Sequence, residues 1–338
     1  MDVAVRTVDY HTGGEPFRIV PEPPVEVAGA TVAERRVRAL AEPAVQHLRR
    51  LLCSEPRGHA DMYGGLVVPP DDAGAALGVL FWHKDGFSTA CGHGTIALGR
   101  WAVDAGIVDA DPDGATDVVV DVPSGRVTAR VHSRAGRVRA VDFVNVASYP
   151  LARAVPVATR RGTVAVDLAF GGATYAVVAA AELGLAVEPA QLTELIAVGR
   201  EIKHALDGSE YARHPGDDRL SGVYGTILVD DLGVLDDGSL HQRNVTVFAD
   251  GEVDRSPCGS GTCARLALLD DAGALTEGQA LAHDSIVGSR FVARVAGRTT
   301  SYGHRAVLPV VTGTAFRTGE HAFVVDPDDD LVPGFVLR

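Results

Sequence analysis

The sequence predicts an α+β protein made of two related halves, and three observations lead there. Short stretches rich in β-branched and aromatic residues outnumber helical ones, and they do not alternate with helices as a regular βαβ chain would. The segment Cys91-Gly-His-Gly-Thr-Ile-Ala returns as Cys258-Gly-Ser-Gly-Thr-Cys-Ala; extended without a gap to Asp104-Ala-Gly106 and Asp271-Ala-Gly273, eight of 16 positions are identical, at an offset of 167 in a chain of 338. Earlier in each half, Gly13-Gly14-x-x-Phe17-x-Ile19-Val20 resembles Gly171-Gly172-x-x-Tyr175-x-Val177-Val178 at an offset of 158. At roughly 100–200 residues per domain the length also predicts two domains. The expected domains are residues 1–150, joined by 315–338, and residues 151–314.

The elements follow in order. Val3–Asp9, Phe17–Val20, Gly65–Val68 and Gly78–Trp82 read as strands. Val32–Leu52 reads as a helix from the spacing of Val37, Leu40, Val45, Leu48, Leu51 and Leu52, with a kink or late start at Pro43. Thr95–Val103 is a short buried helix that Gly106 ends as a C′ cap. Val118–Val122 and Val127–Val131 alternate around a Pro-Ser-Gly turn, as a hairpin does. In the second half Thr163–Ala169, Tyr175–Ala179, Thr226–Val229 and Val245–Phe248 are strands. Pro189–Leu206 is a helix, and Cys258–Ala272 is a glycine-rich turn running into another. Asp326–Asp330 is a short acidic turn.

Composition excludes several classes of function. The formal net charge of −13 argues against nucleic acid and against an anionic membrane surface. No apolar run approaches the 18 residues of a membrane span. The N-terminus MDVAVRTVDYHTGG lacks a basic and an apolar region, so no secretory signal is expected. The four cysteines, Cys53, Cys91, Cys258 and Cys263, include no C-x-x-C pair and no accompanying histidine cluster, so no metal site is expected. Without a signal they point to reduced thiols in a cytoplasm. Cys263 reads as packing. Of 31 basic residues only Lys84 and Lys203 are lysines, and neither lies in a glycine-rich context. That disfavours a pyridoxal phosphate Schiff base. No Gly-Lys-Ser/Thr occurs, and no cofactor is expected.

Each Cys-Gly-x-Gly-Thr segment puts a thiol at the mouth of a helix. The first-turn amides and the helix dipole there suit an anion such as a carboxylate. The same field is expected to lower the thiol pKa. Two equivalent sites predict thiols facing each other in a cleft between the domains, one removing a proton from a carbon and the other delivering one to its opposite face. Three other readings compete: the weak dinucleotide pattern G-x-G-x-x-A at Gly92 and Gly259, which lacks its βαβ context; a disulfide redox pair; and plain buried cysteines.

At these residues the sequence resembles the proline racemase family. The resemblance rests on Asp9-Tyr-His-Thr-Gly-Gly-Glu-Pro16, Glu55-Pro-Arg-Gly-His-Ala-Asp-Met62, Cys91-Gly-His-Gly-Thr95, Asp254-Arg-Ser-Pro-Cys-Gly-Ser-Gly-Thr262, Gly313-Thr-Ala-Phe316 and Gly334-Phe335. It implies a fold similar to diaminopimelate epimerase: two pseudo-symmetric domains, each a mixed or antiparallel sheet wrapped around a central helix. It implies Cys91 and Cys258 as the catalytic acid and base. Gly92, His93, Gly259 and Ser260 would hold the substrate carboxylate, and Asp254 its ring ammonium. His93 either orients the substrate or bonds locally; His59 and Asp61 either line the pocket or, preferably, fix a turn; His11 and Glu15 are structural.

The implied activity is cofactor-independent racemisation or epimerisation of proline or a hydroxyproline, a small zwitterion. Cysteine at both positions favours this, since the trans-3-hydroxyproline dehydratase branch commonly has threonine at the second. Glu55-Pro-Arg-Gly-His59, Gly99-Arg-Trp-Ala102, His214-Pro215 and Tyr224-Gly-Thr-Ile227 lean toward the proline racemase and dehydratase branches. Phe17, Ala90 and Ala173-Thr174 depart from the usual pattern and leave the ring substituent open. A dehydratase is the alternative, and a non-catalytic imino-acid binder is the alternative of another class. A homodimer is compatible with all of these.

Overall fold

The structure, a computed structural model, describes residues 5–337. The chain divides into two compact units, Met1–Val141 with Thr314–Arg338, and Asp142–Gly313. The first holds β1 (Val5–Thr12), β2 (Glu15–Val20), α1 (Val32–Ala41), α2 (Pro43–Cys53), β3 (Gly64–Val68), β4 (Leu77–His83), β5 (Gly86–Phe87), α3 (Gly92–Asp104), β6 (Ala115–Val122) and β7 (Gly125–Arg134). After β8 (Arg137–Val144) the second holds β9 (Tyr149–Thr159), β10 (Gly162–Phe170), β11 (Thr174–Ala179), α4 (Leu192–Leu206), β12 (Val223–Val234), β13 (Leu240–Phe248), β14 (Glu252–Asp254), α5 (Gly259–Asp271), β15 (Leu281–Ser285), β16 (Arg290–Ser301) and β17 (His304–Gly313). The chain then gives β18 (Ala315–Phe323) back to the first unit.

The two units use one pairing plan. In the first, β18, β1 and β2 are antiparallel neighbours, β2 runs parallel to β3, and β3 antiparallel to β4. β4 carries the short β5 antiparallel and runs parallel to β6, which pairs antiparallel with β7. In the second, β9, β10 and β11 are antiparallel neighbours, β11 runs parallel to β12, and β12 antiparallel to β13. β13 carries the short β14 antiparallel and runs parallel to β15, which continues antiparallel through β16 to β17. The repeated cysteine segment follows β5 in one unit and β14 in the other. The sequence repeat is therefore a repeat of topology, and the α+β prediction holds.

Each sheet wraps around one helix. α3 packs against β18, β1 and β2 and also against β6 and β7; α5 packs against β9, β10 and β11 and also against β16 and β17. Helices enclosed on most sides cannot be amphipathic, and these two are not: every residue from Gly92 to Gly99 is buried, as is every residue from Gly259 to Ala264. Gly99 is required by the closeness of the sheet, since a Cβ there would stand 2.5 Å from the Ala129 Cβ on β7. α1 and α2 bury one face only, with Val32, Ala39, Val45, Leu48 and Leu52 in one cluster with Leu66, Leu80 and Trp82. α4 does the same with Leu195, Val198 and Ile202 against Leu228, Val245 and Val247.

The repeated Asp-Ala-Gly has a structural cause at both helix ends. Gly106 and Gly273 take φ of +67° and +66°, the left-handed conformation that ends a helix at low cost for glycine. Asp104 accepts the Tyr10 hydroxyl at 2.9 Å and the Arg100 guanidinium at 2.9 Å, tying α3 to β1. Asp271 accepts from Arg153 on β9 at 2.8 Å, and Arg153 also reaches the Leu268 carbonyl at 2.6 Å.

Several elements run beyond their expected bounds, the strand Thr226–Val229 most of all, being part of the longer β12. The predicted strand Val3–Asp9 begins at positions 3 and 4, outside the described residues, and the strand runs on to Thr12. The kink or late start expected at Pro43 is a full break: Val32–Leu52 is two helices divided at Glu42, with Pro43 in the first turn of α2 where its missing N–H leaves no bond unmade. The start of Pro189–Leu206 is a single 3₁₀ turn, Pro189–Gln191, before α4 begins.

Candidate active site

Cys91 is the N-cap of α3. Its extended backbone turns the thiol back over the helix mouth, where the sulfur accepts the Gly94 amide at 3.2 Å. The Thr95 amide and hydroxyl both donate to the Cys91 carbonyl, at 3.0 and 2.7 Å. His93 lies beside the thiol, with Nδ1 3.4 Å from the sulfur. Tyr63 and Phe17 meet its ring edge-on, with centroids 4.9 and 5.8 Å away. The Thr12 hydroxyl donates to its carbonyl at 3.0 Å. Burial pushes the His93 imidazole down to about 3, so the ring is neutral at physiological pH.

Cys258 precedes α5 in a different conformation, φ 63° and ψ 102°. A non-glycine residue held in that sparsely populated region costs about 1–3 kcal/mol, which the surrounding contacts must offset. Those contacts are numerous. The Cys258 amide donates to Ser256 Oγ at 3.1 Å, and the Ser256 amide donates to Asp254 at 2.8 Å. The Pro257 carbonyl accepts from Asn244 Nδ2 at 3.0 Å and from the Thr262 hydroxyl at 3.1 Å. His283 Nδ1 lies 2.8 Å from that same hydroxyl, and since the hydroxyl donates to Pro257, His283 donates to it.

The electrostatics at Cys258 correct one expectation. The helix field was expected to lower the thiol pKa. Burial instead pushes it well above the ordinary value, and the Asp254 charge pushes the same way, against smaller opposing contributions from the Gly261 amide and the Tyr175 and Thr246 hydroxyls. Burial also raises Asp254, to about 6. An ammonium arriving at Asp254 would favour its charged form and cancel the repulsion it exerts on a thiolate.

The second glycine of each segment is dictated by the thiol. A Cβ on Gly94 would stand 2.8 Å from the Cys91 sulfur and 2.4 Å from the Phe17 ring; one on Gly261 would stand 2.9 Å from the Cys258 sulfur and 2.9 Å from Ile227 Cδ1. Ser260 is 1% exposed, and its hydroxyl has no hydrogen-bond partner among the described residues.

Cys91, Gly92 and His93 thus gather at one helix mouth, and Asp254, Cys258, Gly259 and Ser260 at the other. His93 makes the local contact that was one of its two readings. His59 Nδ1 accepts the Asp61 amide at 3.2 Å and the Met62 amide bonds the His59 carbonyl at 2.9 Å, so these residues form a turn between α2 and β3. His11 Nδ1 accepts the Gly14 amide at 3.2 Å, and the ring lies against Phe316. Glu15 is fully buried. No motif or spacing points to Tyr63, Asn244, Thr246 or His283, which are neighbours by folding alone. Tyr175 was visible only as a member of the second repeat. None of the four cysteines forms a disulfide.

The model of the proline racemase family matches residues 7–336. The chain belongs to the proline racemase family. A trans-3-hydroxy-L-proline dehydratase of Bacillus thuringiensis subsp. konkukian is 42% identical over 331 residues, covering 98% of this chain and 97% of that protein. A 3-hydroxyproline 2-epimerase of Burkholderia multivorans is 42% identical over 337 residues, covering 99% and 98%. Among solved structures, a hydroxyproline epimerase from Agrobacterium vitis with bound trans-4-OH-L-proline superposes with a TM-score of 0.91 at 30% identity, covering 99% of this chain and 96% of that one. A proline racemase family chain with such relatives is an enzyme, an isomerase or a lyase. Among the described residues no helix is long and apolar enough to cross a membrane.

Proposed function

We propose that this chain inverts the α-carbon of proline or a hydroxyproline without a cofactor, with Cys91 and Cys258 as its acid–base pair. One thiolate takes the α-proton, leaving a planar carbanion conjugated with the carboxylate, and the other thiol gives its proton to the opposite face. The thiols exchange roles with each turnover, so atoms and charge balance. The observation that carries this reading is the duplication: in each unit the short strand, β5 or β14, is followed four residues on by a cysteine at the mouth of a buried helix. Gly92, His93, Gly259 and Ser260 supply the carboxylate site, where the unpartnered Ser260 hydroxyl is a ready donor. Asp254 receives the ring ammonium.

A second reading is favoured by the 42% identity to a trans-3-hydroxy-L-proline dehydratase. There Cys91 takes the α-proton, hydroxide leaves C3 with a proton from the second thiol, and the product is a pyrroline carboxylate and water. Cysteine at 258 supports inversion over elimination, which needs only one strong base.

Incubation with L-proline, trans-4-hydroxy-L-proline and trans-3-hydroxy-L-proline in D₂O separates these. Inversion gives α-deuterated epimer without mass loss. Elimination gives a pyrroline carboxylate from the 3-hydroxy substrate alone. Tight binding with no isotope exchange would mean a binding protein, and no exchange with any of the three would sink the catalytic reading.

A further inference from the structure

The repeat that sets Cys91 against Cys258 also sets Phe17 against Tyr175. Both rings pack beside their own unit's thiol loop. Phe17, on β2, lies against Gly94 and has no polar atom to offer Cys91. Tyr175, on β11, is 1% exposed, packs in the same apolar cluster as Cys258, and brings its hydroxyl to 3.7 Å from the Cys258 sulfur. Its ring is fixed from the side. Tyr224 meets it edge-on at 5.6 Å and 74°, and Tyr224 itself stacks on Phe248 at 5.5 Å.

Two residues after each cysteine the order reverses. His93 brings a ring nitrogen to 3.4 Å from Cys91, whereas the small Ser260 stands at the matching place in α5. Each thiol therefore has one polar ring at its side, contributed by the helix in the first unit and by the strand in the second.

We propose that Tyr175 is the positioning residue of the second thiol, holding the Cys258 sulfur in both of its protonation states. A phenol hydroxyl can accept a hydrogen bond and donate one. It accepts the S–H while Cys258 is protonated and donates to the sulfur once the proton has left, so a single contact survives the proton transfer. Asp254 cannot do this, because a carboxylate opposes the thiolate, and the Thr246 hydroxyl is a second, smaller contribution beside the phenol. The role deepens the two-thiol reading and rests on it, and it makes the two halves of the reaction chemically unequal although their loops match.

The test is Tyr175→Phe, which removes the hydroxyl and keeps the ring, with folding checked by thermal melting. Iodoacetamide labelling against pH, resolved by peptide mass for each cysteine, reads the two thiols separately and does not depend on turnover. The Cys258 midpoint is expected to rise by about one pH unit, the size of a lost hydrogen bond to a charged group, while that of Cys91 stays in place. A structural role alone would leave the Cys258 midpoint unmoved, and that result overturns the proposal. So does a Cys258 that no pH makes reactive in the unaltered protein, since the hydroxyl would then have no thiolate to hold. If Tyr175→Phe does not fold, incorporation of 3-fluorotyrosine, a more acidic phenol, must lower the Cys258 midpoint, and no shift counts against the proposal. Absence of racemisation in either protein bears on the proposed function and leaves the labelling result standing.

Discussion

His93 Nδ1 lies 3.4 Å from the Cys91 sulfur on a ring that burial keeps neutral, down to about 3. The imidazole is thus a hydrogen-bonding neighbour of the thiol and not a fixed cation that would hold it ionised. His93→Gln keeps a polar side chain there and is expected to retain activity within about tenfold, because one neutral hydrogen bond contributes about 1 kcal/mol. The pH–rate profile should show no limb from this histidine near 6.5. A limb at that pH that disappears in His93→Gln contradicts the assignment.

Under the proposed paired-thiol mechanism, replacing either sulfur has a far larger effect. Cys91→Ser and Cys258→Ser are each expected to cut racemisation by about 10²–10⁴-fold, the usual contribution of a positioned acid or base. Optical rotation reads this directly. Near-normal turnover in either variant refutes the paired-thiol mechanism.

The glycines under the sulfurs give a graded pair. Gly94→Ala must displace both the Cys91 sulfur and the Phe17 ring; Gly261→Ala meets Cys258 and the end of the Ile227 side chain. Both should lose most activity and about 1–3 kcal/mol of stability in urea titrations, the ordinary cost of overpacking. Gly94→Ala is expected to be the worse of the two. The reverse order would show that the Phe17 ring yields more easily than its packing implies.

Asp254 sets function against stability. Its folded pKa, about 6, lies above the ordinary 3.8, so the folded protein loses stability as pH rises through that window and carries the full cost above it. Asp254→Asn should therefore stabilise the ligand-free protein at pH 8, by roughly 1–3 kcal/mol. The same change should raise KM at least about tenfold, since a neutral amide forgoes an ion pair worth more than 1.4 kcal/mol when desolvated. A variant less stable at pH 8 than the parent would contradict the burial cost.

Acid should act the opposite way through the buried histidines. Burial pushes both His93 and His283 down to about 3, so the unfolded chain binds protons that the folded one refuses between that pH and 6.5. Their contribution is fully present above 6.5 and is lost as pH falls toward 3. From pH 7 to pH 5 each should account for roughly 2 kcal/mol of lost stability at most. His283→Gln should flatten that slope in urea titrations at the two pH values. An unchanged slope assigns the acid sensitivity elsewhere.

What the sequence disclosed follows from what was duplicated. The Cys-Gly-x-Gly-Thr and Asp-Ala-Gly identities mark positions where geometry leaves one residue type: a glycine beneath a sulfur, an αL glycine at a helix end, an aspartate tying helix to strand. The helix Val32–Leu52 is visible by its period and Pro43 marks where it is interrupted; that the interruption is a complete division follows from local bonding that periodicity does not report. β15 to β18 went unassigned. β16 buries Phe291 and Ala293 and exposes most of the rest, and its partner β17 holds Pro309, so neither shows a sustained alternating run. The network of Asn244, Thr262 and His283 around Pro257 was hidden for another reason, since its members come from three separate elements and share no spacing.

The strand β18 has a consequence for synthesis. It completes the first unit, pairing with β1 along its full length and covering α3, yet it is made only after the whole second unit. The second unit, contiguous from Asp142 to Gly313, is whole before β18 leaves the ribosome. The half translated first is therefore finished last, and until then β1 presents an unpaired edge of the kind that recruits foreign strands. A nascent chain halted before residue 315 should be the form that aggregates and that chaperones hold.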